Sequence, residues 1–152
     1  MKNRSAAHAT FVIDRTFPVA PSRVFAAWSS VESKGRWFGG PEEWVRGKHE
    51  LDFRVGGREF LSGGPKGAPA HTYEARYQDI VPNERIIYSY EMHLGDAKIS
   101  VSLATIEFKA EGNGTRLTLT EQGAFLDGYD DAGSREKGTN DLIDKLARAL
   151  KS

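Results

Sequence analysis

The chain contains no cysteine. Disulfides, thiolate metal sites and a cysteine nucleophile are excluded, and a cytoplasmic protein is expected. Neither charge is in excess, because Lys plus Arg and Asp plus Glu each number 21. A nucleic-acid-binding or acidic-membrane-binding surface is therefore not expected. No apolar run approaches the roughly 18 residues of a bilayer-spanning helix. The start, MKNRSAAHA, lacks the apolar stretch of a signal peptide. Histidine is sparse, and His8, His49, His71 and His93 show no HExxH-type metal spacing. Neither a Gly-x-Ser-x-Gly elbow nor a P-loop occurs. No metal, no cofactor and no catalytic residue is assigned from motifs.

What is present is enough for one soluble domain: 152 residues, 39% apolar and 28% charged, with no internal repeat or linker. Residues 1–9 read as a flexible polar tail and 10–152 as a single domain. FVIDRTFPV (11–19) places Phe11, Ile13 and Phe17 on one parity and reads as a strand. Ser22 is a plausible N-cap for a short helix carrying Val24, Phe25 and Trp28. A second short helix over about 31–37 ends at Gly39-Gly40. HELDFRV (49–55) alternates with Leu51, Phe53 and Val55 on one face, and REFLS returns after Gly56-Gly57. SGGPKGAPA (62–70) reads as a mobile loop. Two hairpins follow, turning at VPN and EGNG, and the tail from Ser134 onward is a helix with Leu142, Ile143, Leu146 and Leu150 on one side. The expected class is α+β: a curved antiparallel sheet of about six or seven strands around one long C-terminal helix.

The first of the two hairpins carries most of the functional signal. With Ile80 opposite Arg85, Tyr77 faces Tyr88, Ala75 faces Tyr90 and Tyr73 faces Met92, all on one side of the sheet. Glu74, Arg76, Ser89 and Glu91 take the other side. Buried tyrosines need partners for their hydroxyls, at a cost of roughly 1–3 kcal/mol each when unpaired. Two readings are open. The four tyrosines wall an amphipathic, partly hydrated cavity, or each hydroxyl reaches the sheet rim or a backbone carbonyl in a closed core. RWFGGPEEW (36–44) raises the same alternative for Trp37, Phe38 and Trp44, which are wall and lip of a cavity or helix-packing residues.

FPVAPSRVFAAW, RWFGGP, YQDIVPNERIIYSYEM, TIEFKAEGNGTRLTLTEQG and LIDKLARAL, in that order, resemble the START-like or SRPBCC helix-grip superfamily. Within it the chain resembles the group related to the C-terminal domain of activators of the ninety-kilodalton heat-shock chaperone ATPase. The resemblance covers about residues 10–151. It implies a sheet gripping the last helix, two short helices closing one end, and Trp37 and Phe38 at the wide mouth between them. Its functional implication is broad, since the superfamily includes lipid carriers, hormone receptors, cyclases and resistance proteins. Many members of the group carry a tryptophan near the start of the last helix. Here that region is EKGTND, with Gly138, Thr139 and Asn140, which leaves room.

The expected function is non-catalytic binding of a small, apolar or aromatic, lipid-like molecule. Trp37, Phe38, Trp44, Phe53, Phe60, His71, Tyr73, Tyr77, Tyr88, Tyr90, Met92 and Phe125 form the expected contact set. One alternative is a cyclase or hydrolase acting on a polyketide-like substrate, with His71, Glu59 or a tyrosine moving protons. Another is a chaperone-cofactor-like interaction module. Arg54 and Arg58 either reach a carboxylate ligand or are exposed strand residues. Arg15 and Glu121 are expected to form a partly buried pair, and Asp130 and Asp131 to start the last helix. Val101 and Leu103 fall on the outer face and could support a homodimer.

Overall fold

The computed structural model describes residues 4–151. Its elements are β1 (Ala6–Phe17), α1 (Pro21–Ala26), α2 (Val31–Lys34), β2 (Val45–Leu51), β3 (Arg58–Gly64), β4 (His71–Val81), β5 (Arg85–Leu94), β6 (Ala97–Glu111), β7 (Gly114–Leu126) and α3 (Ala132–Ala149). The strands form one antiparallel, open, curved sheet in the order β1-β7-β6-β5-β4-β3-β2. This is the expected α+β helix-grip architecture. The inward faces of β1, β6 and β7 supply Phe11, Ile13, Ile106, Phe108, Leu117 and Leu119 to the core, and α3 adds Ile143 and Leu146, followed by its C-cap Leu150. No helix of the described residues is long and apolar enough to cross a membrane.

Several local expectations are corrected. The strand expected from residue 11 starts at Ala6, so residues 6–9 are not tail. Ala6 pairs with Leu126, because β7 runs long enough to offer its backbone groups to the polar residues before Phe11. Residues 1–3 of the expected tail lie outside the described residues. α1 is capped by Ala20 with Pro21 in its first turn, not by Ser22. Proline's fixed φ pre-forms the first turn and starts the helix earlier. In α2, Ser30 does act as a cap, its hydroxyl accepting from Ser33 N–H. β2 lies at Val45–Leu51, not at 49–55, because the chain turns at Asp52, whose carbonyl accepts from Arg54 N–H. Val55 is consequently 57% exposed. The loop expected at 62–70 loses its first three residues to β3, where Ser62 and Gly63 pair with Thr72 and His71.

The tyrosine hairpin has the expected facing pairs, Tyr77 with Tyr88, Ala75 with Tyr90 and Tyr73 with Met92. Its anchor does not hold. Ile80 lies opposite Ile86, because a bulge at Gln78 shifts the register between Tyr77 and Asp79. Arg15 does not pair with Glu121. Phe11 lies opposite Glu121, and four residues along a strand put Arg15 about 13 Å away. Arg15 bonds Asp144 of α3 instead, at 2.7 Å. On the outer face Val12, Val101 and Leu103 are exposed at 55%, 44% and 39%.

Candidate functional site

A cavity of about 850 Å³ lies between the tyrosine face, α3 and the segment after α2. Small-molecule sites span roughly 300–1,000 Å³. Of the twelve residues expected from sequence, Trp37, Phe38, Trp44, His71, Tyr73, Tyr88, Tyr90 and Met92 border it. The other four do not. Phe53 packs edge-on against Phe25 and Tyr77, at 5.7 and 5.1 Å between ring centres. Phe60 has Glu50 and Glu74 as cross-strand neighbours and lies on the outer face. Phe125 is buried beneath the Arg135 guanidinium, 5.2 Å from its ring centre. Tyr77 is engaged in a polar cluster behind the wall.

That cluster is the feature sequence reading missed. Lys34 of α2 and Glu59 of β3 have side chains with no exposed surface, and Lys34 Nζ donates to Glu59 Oε1 at 2.6 Å. The Tyr77 hydroxyl donates to the same oxygen at 2.8 Å, and His49 Nε2 lies 2.8 Å from Glu59 Oε2. Burial works against the Glu59 anion, but the Lys34 charge and the bonds from His49, Lys34 and Tyr77 prevail. They hold the carboxyl at about 2. Burial pushes Lys34 below its ordinary value, and Phe38 offers its ring face 4.2 Å from Nζ. The cluster ties α2 to the sheet, so residues 35–38 enter the cavity wall from a fixed point. Glu59, named as a candidate proton carrier, borders this cluster rather than the cavity. The available signal was parity: Glu59 shares the inward side of β3 with Leu61, where an anion demands a buried cation.

The far end of the cavity holds a second polar group. Arg135 of α3 is 11% exposed in its side chain. Its Nη1 donates to the Tyr90 hydroxyl at 3.0 Å, and its Nη2 to Ser100 Oγ at 2.8 Å and Asp130 Oδ2 at 2.9 Å. The Tyr90 hydroxyl in turn donates to Glu121 Oε2 at 2.7 Å. Burial raises the Glu121 carboxyl above its ordinary value, against the pull of Tyr90 and Arg135. Asp131, beside this group, caps α3 by accepting from Ser134 N–H. Tyr73 and Tyr88 are also pushed up by burial and remain neutral phenols. The Tyr73 hydroxyl faces Tyr88 without an ordinary hydrogen bond.

The mouth is a strap, residues 39–45. Lys145 of α3 donates to the carbonyls of Gly39 and Gly40 at 3.3 and 3.0 Å. Arg46 donates to those of Gly35 and Phe38, both at 3.1 Å. Trp44 stacks on His71, with ring centres 4.6 Å apart. Only glycine permits this fold-back, because a Cβ at Gly40 would stand 2.3 Å from the Trp44 ring. Burial lowers His71, so its imidazole is neutral against the indole. RWFGGPEEW therefore divides. Trp44 is lip, whereas Trp37 is 2% exposed, with Nε1 donating to the Ala27 carbonyl at 3.0 Å. Arg54 and Arg58 are exposed and lie outside the cavity.

Beside this geometry stand the relatives. A putative uncharacterized protein from Rhizobium leguminosarum is 48% identical, with 98% of each chain covered and a TM-score of 0.93. The Mll3558 protein from Rhizobium loti is 44% identical over 95% of this chain and 99% of its own, with a TM-score of 0.89. Protein CV1439 from Chromobacterium violaceum is 25% identical over 94% and 97%, with a TM-score of 0.81. None of the curated proteins matches this chain. The family model for Activator of Hsp90 ATPase homolog 1-like protein matches residues 18–151. The chain belongs to that family, within the START-like helix-grip superfamily.

Proposed function

We propose that this protein binds a small, mostly apolar molecule with an aromatic or lipid-like body in the cavity between α3 and the tyrosine face, without converting it. One observation carries the reading. An 850 Å³ space is walled by Tyr73, Tyr88, Tyr90, Met92, Leu61 and Leu142 rather than filled by side chains. A hydrophobic wall with a few fixed polar groups is the usual make-up of a small-molecule site. The charged groups at its end, Arg135, Asp130 and Glu121, are already tied together directly or through Tyr90, which suits holding a molecule more than moving its protons.

Gly138 provides the test. It lies on α3 at the cavity's edge, and a Cβ placed there meets nothing within 4 Å. Gly138→Ala is expected to stabilise the protein by about 0.5–1 kcal/mol, the helix-propensity gain of alanine over glycine. A urea melt measures this. Gly138→Trp places an indole across the open space. It is expected to keep the fold, by circular dichroism, and to abolish the fluorescence rise of N-phenyl-1-naphthylamine seen with the parent protein. Unchanged dye binding in a folded Gly138→Trp protein would remove the cavity from the function. Native mass spectrometry of protein from its own host should show a stoichiometric small molecule.

A further inference from the structure

Of the five Lys and Arg side chains bordering the cavity among the described residues, Lys145, Arg46 and Arg135 are engaged by the protein itself, and this bears on what can enter. Lys145 and Arg46 are directed at four backbone carbonyls of the strap region. Arg36 and Arg148 are exposed on the rim, among the exposed acids Glu42, Asp141 and Asp144, where solvent and salt screen them. Arg135 stands deepest among the described cations of the cavity, with its side chain 11% exposed, and it is bracketed. Asp130 bonds it at 2.9 Å and Glu121 lies 3.7 Å away. A ligand carboxylate reaching Arg135 would displace a bond already made to Asp130 or Tyr90. It would also face two carboxyl groups at close range in a poorly screened site. Of the other polar residues lining the cavity, the phenols Tyr73 and Tyr88 with Ser62, Ser134 and Thr139 are uncharged, and hydroxyls can donate to or accept from an uncharged oxygen.

Resting on the cavity-binding reading, we infer that the site selects uncharged aromatic molecules over carboxylates of the same shape, and that Asp130 and Glu121 impose the selection by neutralising Arg135. The two acids are specificity-determining residues, and their removal converts the cavity end into an anion site.

Paired compounds test this: 2-naphthol and 2-naphthoate share one ring system and differ in charge at neutral pH. By calorimetric titration the parent protein should bind the naphthol at least about tenfold more tightly, a difference easily resolved in Kd. Asp130→Asn and Glu121→Gln should each shift the Kd ratio toward the naphthoate, chiefly by tightening the anion. Equal or tighter naphthoate binding by the parent protein overturns the inference while leaving the cavity reading intact. An unchanged ratio in the folded variants overturns the role given to the two acids. If one variant fails to fold by circular dichroism, the other decides. Binding of neither compound, together with no response to N-phenyl-1-naphthylamine, removes the cavity reading and this inference with it.

Discussion

Lys34→Met is expected to destabilise the protein by about 3–5 kcal/mol, the usual cost of leaving one partner of a buried ion pair alone. The substitution strips Glu59 of its nearest cation while the carboxylate stays sealed beneath β2, β4 and α2. The double variant Lys34→Met, Glu59→Leu should recover most of the loss, because exchanging a whole buried pair for apolar groups is often neutral or stabilising. Urea melts of parent, single and double variants measure both effects. A single variant within 1 kcal/mol of the parent would show that the pair does not hold α2 to the sheet. The pH dependence follows from Glu59, which burial opposes but Lys34 and its hydrogen-bond donors hold at about 2, below its ordinary 4.5. Stability from this carboxylate is complete above about 4.5 and is lost as pH falls through about 2. It amounts to on the order of 3 kcal/mol at roughly 1.4 kcal/mol per pKa unit. The double variant should lose less stability than the parent over that acid window.

The strand parities and the closing helix were legible in the sequence because one-sided burial leaves a period in the residues. Phe11, Ile13 and Phe17, and the facing pairs of the tyrosine hairpin, follow from alternation alone. Where backbone geometry interrupts the period, the reading slips. The bulge at Gln78 moved Ile80 by one place, and the turn at Asp52 took Phe53 and Val55 out of their strand. Phe60 misled for a different reason. Its neighbour Glu59 takes the inward position, which an aromatic would normally claim, and a charged residue declares itself inward only once its partner is known. That partner, Lys34, sits on a four-residue helix too short for a periodic signal. The tyrosine face was legible as an excess of tyrosine on one side of the hairpin. The neutral end of the cavity was not, because Tyr90, Glu121 and the 130–135 segment come from three separate stretches that only the curl of the sheet against α3 brings together.

Trp37→Ala tests how the cavity wall is built. The sequence leaves Trp37 as either lip or packing residue, and the structure gives it both borders. The residue borders the cavity with almost none of its surface open, 2%. The indole is held by Trp28 and Phe38, edge-on at 4.6 and 5.6 Å between ring centres, and by the bond to the Ala27 carbonyl. Removing a buried indole costs about 3–5 kcal/mol through lost transfer energy and the void left behind. Here the void joins an existing hollow and the Ala27 carbonyl loses its donor, so the upper half of that range is expected. In a Trp28→Phe, Trp44→Phe background, where Trp37 is the only indole, emission should be blue-shifted and acrylamide should quench it weakly. Trp44, half-buried at the mouth, should be quenched readily when it is the only indole. If Trp37→Ala costs less than about 1 kcal/mol, below the range for buried aromatics, and its indole quenches as readily as Trp44, the ring is a mobile lip. The wall would then have to be carried by Phe38 and the tyrosines without it.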